Sequence, residues 1–282
     1  MKRLFLFLLI CATTAVTAQI QTPQPSPAAK VMQKVGLTDI TVEYSRPAMR
    51  GRTIFGDLVP FDKIWRTGAN ANTTITVGDD FTFGGTDVKA GTYAVFTKPG
   101  KKQWDVYLYS KTDNWGAPRS WDESLVVATA TVPVQEMNLT QESFTIGINE
   151  LSMDSAHLQI SWENSLVAIP ITVPTKKKTE ESIMKVMSGE AQPSINDYYS
   201  AAAFYYEAGT NLEQALEWIT KATEMNDKAF WMFTRKSLIE EKLGKKKDAV
   251  KTAKTALALA KDQKNADYVK INEDNLKRWG AM

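Results

Sequence analysis

The sequence predicts two successive domains: an antiparallel β-sandwich or jelly-roll-like fold, then an all-α array of helical hairpins. Three observations carry this expectation. Across residues 31–174, short runs alternate apolar and polar side chains between turns rich in Gly, Pro and Asp, the period-two signature of half-buried strands. At Thr175-Lys176-Lys177-Lys178 a charged joint interrupts that texture. Across residues 179–282, Ala, Leu, Glu, Lys and aromatics recur at helical spacing, and two segments repeat at an offset of 34 residues.

Taken in order, residues 1–18 read MKRLFLFLLICATTAVTA, a basic start, an apolar run and a small-residue end. That order is a secretory signal peptide, cut after Ala18, and it places the protein outside the cytoplasm, periplasmic or secreted. The rival reading, a lipoprotein modified on Cys11, fits less well because bulky Ile10 stands where a small residue is needed. Residues 19–30 form a Pro-, Ser- and Gln-rich spacer, expected to be extended or mobile. Strands are expected at Thr38–Tyr44, Thr73–Val77, Phe81–Phe83, Gly91–Thr97 and Trp104–Tyr109. Four more follow, at Leu125–Val132, Ser143–Asn149, Ala156–Trp162 and Leu166–Val173. In the helical half, Ala215, Leu216 and Ala222 correspond to Ala249, Val250 and Ala256, with Gly209 and Gly244 ahead of each repeat. Small residues at fixed spacing let helices approach closely, as in tetratricopeptide units, so about two hairpins and a last helix near Ala266–Trp279 are expected. The tail's aromatics, among them Tyr198, Tyr205, Trp218 and Trp231, exceed what two hairpins need, so some should cover another surface.

Composition excludes several function classes. Once Lys2 and Arg3 leave with the signal peptide, the 34 basic residues fall to 32 and balance the 32 acidic ones, which argues against nucleic acid as a partner. No second apolar run is long enough to span a bilayer. Cys11 is the only cysteine and His157 the only histidine, so neither thiol catalysis nor a histidine-cluster metal site is expected. Gly84-Gly85 falls between strands rather than ahead of a helix, so it is no phosphate loop, and no cofactor is expected.

The chemistry concentrates in one stretch, SRPAMRGRTIFGDLVPFDKIWRTGANANTT from Ser45 to Thr74. Gly and Pro there fix turns, while arginines and asparagines supply directed hydrogen-bond donors beside an indole. Arg46, Arg52, Trp65, Arg66, Asn70 and Asn72, with Trp115, are the candidate ligand-binding residues for an anionic or hydroxyl-rich, carbohydrate-like molecule. The alternative is structural: the same arginines bridge loops to backbone carbonyls and to acids such as Asp57 and Asp62, and Trp65 anchors the loops in the core. If Arg66 were buried against an acid, its loss would cost roughly 3–5 kcal/mol. If it faced solvent, the loss would stay within about 0.5 kcal/mol.

These same motifs resemble a bacterial family of exported proteins of unknown function, DUF2911. The resemblance runs from Pro27 to Val173 and rests on the Arg-rich stretch with its WRTGAN core, Gly84-Gly85 followed by AGTYAVF, the Trp104 strand and Asn114-Trp115-Gly116. It implies the β fold and the compartment, and no catalytic residue.

Three functions remain open. The first is a non-enzymatic envelope binding protein using the Arg/Trp/Asn loops. The second is a hydrolase or lyase acting on polysaccharide or peptidoglycan through carboxylates, although no spacing singles out a pair among Asp57, Asp62, Asp113, Asp122 and Glu123. The third is an interaction module recruiting a protein partner through the helical tail.

Overall fold

The computed structural model describes residues 22–282; the signal-peptide reading of residues 1–18 and Cys11 lies outside them. The chain forms two compact units, divided between Thr172 and Val173.

The first unit is two antiparallel sheets. Strands β1 (Ala28–Val35), β2 (Thr38–Ser45), β3 (Thr74–Val77), β6 (Gly91–Pro99), β7 (Gln103–Tyr109) and β8 (Val126–Pro133) form six strands in the order β1-β2-β3-β6-β7-β8. Strands β4 (Phe81–Phe83), β5 (Thr86–Val88), β9 (Gln135–Asn149) and β10 (Ser155–Thr172) form the other sheet, in the order β5-β4-β10-β9. Alternation decides which side chains go inside: along β2, Thr38, Ile40, Val42 and Tyr44 are buried while the residues between them are not.

Two sequence expectations are corrected here. The spacer of residues 19–30 ends in strand, because Ala28, Ala29 and Lys30 already pair with Ser45, Tyr44 and Glu43, and Lys30 reaches Glu43 at 3.1 Å. The two strands expected at Ala156–Trp162 and Leu166–Val173 are one long β10, whose register shifts on either side of Glu163. Glu163 takes φ 54°, so the polar break between the two apolar runs is a bulge and not a turn.

The outer edge of β9 is covered by the chain that leaves β2. The Tyr44 hydroxyl donates to the Ile146 carbonyl at 3.2 Å and accepts from the Ile146 amide at 3.1 Å. Arg46 Nε donates to the Phe144 carbonyl, the Phe144 amide to Pro47, and the Met49 amide to Glu142. An edge that would otherwise offer bare ladder groups is therefore satisfied by residues 44–49. This contact fixes where the Arg-rich loops begin.

The second unit holds six helices: α1 (Thr175–Met187), α2 (Ile195–Ala208), α3 (Leu212–Met225), α4 (Phe230–Lys242), α5 (Lys246–Asp262) and α6 (Ala266–Arg278). Ala215 and Ala222 on α3, and Ala249 and Ala256 on α5, are fully buried, as their repeat spacing requires. Ser194 and Asp197 close a capping box at the start of α2, and Gly209 ends that helix at φ 67°. Thr175–Lys178, read as a joint ahead of a domain starting at Thr179, is instead the first turn of α1. Three lysines oppose the helix dipole there, which is why the sequence did not suggest a helix start.

The tail's aromatics are largely used within this unit. Tyr198, Tyr199, Phe204, Tyr206, Trp218 and Trp231 pack against its core. Tyr205 stacks on Trp218 with ring centres 5.4 Å apart, and Phe230 meets Tyr268 at 4.9 Å.

Candidate functional site

Residues 45–74 run between β2 and β3 as a chain of tight turns. Four residues other than glycine take positive φ within it, Arg50 (52°), Asp62 (59°), Thr67 (56°) and Asn70 (60°). Thr67 is the most strained, being β-branched and fully buried. Its conformation is held on several sides: its hydroxyl lies 3.1 Å from the Thr97 hydroxyl, and its carbonyl accepts from the Thr73 hydroxyl. Gly68 follows at φ 135°, where a Cβ would sit 3.0 Å from the Ser45 carbonyl, so only glycine lets the two turns touch.

Trp65 is the hinge of this construction. Its backbone bridges to Thr97 of β6 through bonds of 2.7 and 3.0 Å. Its ring stacks on Trp162 at 5.9 Å and meets Phe55, Trp104 and Phe144 edge-on. Phe55 is delivered to this cluster by Glu163, whose two carboxylate oxygens accept the Ile54 and Phe55 amides at 3.2 and 3.3 Å. Sequence reasoning missed both Trp162 and Glu163. The Glu163-Asn164 interruption between two apolar runs was the available signal.

Beside Trp65 lies a cleft of about 320 Å³, walled by Ser26, Pro47, Arg52, Leu58, Val59, Trp65, Arg66, Gly68, Ala69 and Trp162. Three of the seven sequence candidates line it: Arg52, Trp65 and Arg66. Arg52 is exposed and donates through Nε to Met49 (2.8 Å) and through Nη2 to Ala48 (2.7 Å), both backbone carbonyls. Arg66 is half-buried and donates through Nη1 to the Asn70 carbonyl at 3.1 Å. Among the described residues, the one arginine within 4 Å of a carboxylate is Arg235, on Glu207 in the helical unit. Arginines bridging to carbonyls therefore match one half of the structural alternative. The expected acids, Asp57 and Asp62, do not pair with them.

The other four candidates are not brought to the cleft. Arg46 caps the β9 edge and adds a bond from Nη2 to the Thr145 hydroxyl at 2.8 Å. The Asn70 amide donates to the Ser26 carbonyl and the Ser45 hydroxyl. Asn72, only 7% exposed, ties two loops together, accepting from the Asn114 amide at 2.9 Å and donating to the Gly116 carbonyl at 3.4 Å. Trp115 is 78% exposed on the neighbouring loop, with its backbone bridged to Ala71. The side chains of Arg46, Asn70 and Asn72 hold the loops around the cleft in register.

The family model described as a protein of unknown function (DUF2911) matches residues 26–171. The chain belongs to the DUF2911 family. The match spans both sheets, the Arg-rich loops and the whole cleft wall, and it stops before the helices. A search of the curated proteins finds no match. Among the described residues, no helix is long and apolar enough to cross a membrane, and no group of three or more His, Cys, Asp or Glu side chains is placed to hold a metal ion.

Proposed function

We propose that this DUF2911 chain is an exported, non-enzymatic binding protein of the bacterial envelope, with the cleft beside Trp65 as its ligand site. One observation carries the reading: two guanidinium groups, Arg52 and Arg66, line a cleft about 320 Å³ in volume with no carboxylate beside either of them. A guanidinium with free donors in a partly dry wall attracts an anionic or hydroxyl-rich ligand. The loops that present it are held by turn residues and loop-to-loop hydrogen bonds, so little entropy is lost when a ligand docks. Binding is favoured over carboxylate-dependent hydrolysis because none of the cleft's lining residues is an acid. Export rests on the order of basic, apolar and small residues across positions 1–18. In the helical unit, the buried alanines repeated at 34 residues support a tetratricopeptide-like array that packs or meets a partner and takes no part in the ligand site.

The reading is tested with a thermal-shift screen of the full secreted chain against acetate, phosphate and glucose, repeated on Arg52→Gln/Arg66→Gln. A saturable rise in melting temperature with at least one probe, lost in the double variant, is expected. Equal shifts in both proteins would remove the cleft from the account. Arg66→Ala alone should cost about 1.5 kcal/mol, the low end for one charge-assisted bond, because the side chain is only half-buried. No acid is stranded by that change, so the 3–5 kcal/mol of a broken buried ion pair is not expected.

A further inference from the structure

We infer that the cleft takes a small organic carboxylate with an apolar body and discriminates against sugars; this rests on the binding reading above and narrows it. Donors in the wall outnumber their partners. Each guanidinium carries five N–H donors and no acceptor. Arg52 uses Nε and Nη2 on Met49 and Ala48, and Arg66 uses Nη1 on Asn70, so both keep donors for a ligand.

Side-chain acceptors are scarce. The one side-chain acceptor in the wall is the Ser26 hydroxyl. Four of the wall's carbonyls are already engaged: Ser26 by Asn70 Nδ2, Pro47 by the Phe144 amide, Val59 by the Gly56 amide and Trp65 by the Thr97 amide. A sugar hydroxyl is both donor and acceptor, and buried hydroxyl donors left without partners weaken binding. A carboxylate presents acceptors only and matches the guanidinium fork.

The rest of the wall is apolar: Pro47, Leu58, Val59, Trp65, Ala69 and Trp162. Inorganic anions gain nothing from such a surface, whereas a ring or short alkyl chain attached to the carboxylate does. The volume, about 320 Å³, lies at the small end of the roughly 300–1,000 Å³ typical of ligand sites, which limits the occupant to a small molecule. Asn70 and Asn72, the amides that would have suited hydroxyls, are turned to loop contacts instead.

Isothermal titration of the full chain with acetate, butyrate, phenylacetate, phenylacetamide, glucose and inorganic phosphate tests the inference. Affinity should rise from acetate to butyrate by about fourfold per buried methylene. Phenylacetate should bind at least about tenfold more tightly than its uncharged amide, since bonds to a charged group are roughly twice as strong as neutral ones. Arg52→Gln and Arg66→Gln should each erase most of that preference, with circular dichroism confirming the fold and Arg119→Gln, on an exposed loop, as the control. If glucose, phosphate or the amide binds as tightly as phenylacetate and loses affinity in the arginine variants, the carboxylate inference is overturned while the cleft stands. If no probe binds, or binding ignores both arginines, the binding reading itself falls.

Discussion

Replacing Glu163 by alanine removes the two acceptors that hold the Ile54 and Phe55 amides, at 3.2 and 3.3 Å. A hydrogen bond to a charged group contributes about 1.5–3 kcal/mol, and these two are long and half-exposed, so the low end applies to each. The expected loss is about 3 kcal/mol. Alanine keeps the unfavourable positive φ of 54°, whereas glycine relieves it, so Glu163→Gly should be about 1 kcal/mol less damaging than Glu163→Ala. Glu163→Gln retains one acceptor oxygen and should fall near half the alanine effect. For a unit of this size, about 2–4 °C of melting temperature corresponds to each kcal/mol, so alanine should lower it by roughly 6–12 °C. Scanning calorimetry gives the shift, and hydrogen exchange at the Ile54 and Phe55 amides shows whether the loop has opened. Because Phe55 carries the loop into the cluster of Trp65, Trp104 and Trp162, the near-ultraviolet tryptophan signal should weaken as well. A Glu163→Ala protein within about 0.5 kcal/mol of the parent, with both amides still protected, would refute the claim that this carboxylate delivers Phe55 to the tryptophan cluster.

Other outcomes follow from single contacts. Asn72→Ala should destabilise by about 1–3 kcal/mol through the lost Asn114 and Gly116 bonds, yet leave phenylacetate affinity within about twofold, which titration calorimetry can check. Gly84→Ala places a Cβ 2.4 Å from the Ala130 Cβ at φ 57°, and a loss of about 1–3 kcal/mol in chemical denaturation is expected. Burial pushes the Glu240 carboxyl above its ordinary range, and this is the largest influence on it; the side chain is 5% exposed and Oε2 has no hydrogen-bond partner. An acid whose folded value is raised binds more protons folded than unfolded, so stability declines as pH rises from the usual glutamate range, 4.5, through that raised value. Glu240→Gln should flatten that slope, and melts between pH 4.5 and 7.5 measure it.

Much of the fold was legible because periodicity reports burial directly. The buried positions of β2 and the repeated alanines of α3 and α5 could be read off the chain. What escaped depended on partners distant in sequence. Lys30 becomes strand because Glu43 lies opposite it, and the lysines after Pro174 enter a helix in spite of their charge. The same limit governs the site. The density of Arg, Gly, Pro and Asn correctly marks a built loop system, yet the composition of residues 45–74 is silent on which donors remain for a ligand. Asn72 is claimed by residues some forty positions ahead, and Arg46 by the β9 edge almost a hundred residues away. Arg52 and Arg66 reach the cleft because local carbonyls, three or four residues off, take only part of their donor sets.

The central claim, that Arg52 and Arg66 keep donors for a carboxylate in the cleft beside Trp65, is open to direct observation. Proton–nitrogen spectra of arginine side chains in the full chain, recorded during a phenylacetate titration, report each guanidinium separately. The account predicts saturable shifts at Arg52 and Arg66 with one shared dissociation constant, and none at Arg46, Arg119 or Arg235. Shifts of equal size at every arginine, or still signals at Arg52 and Arg66 while others move, would contradict it.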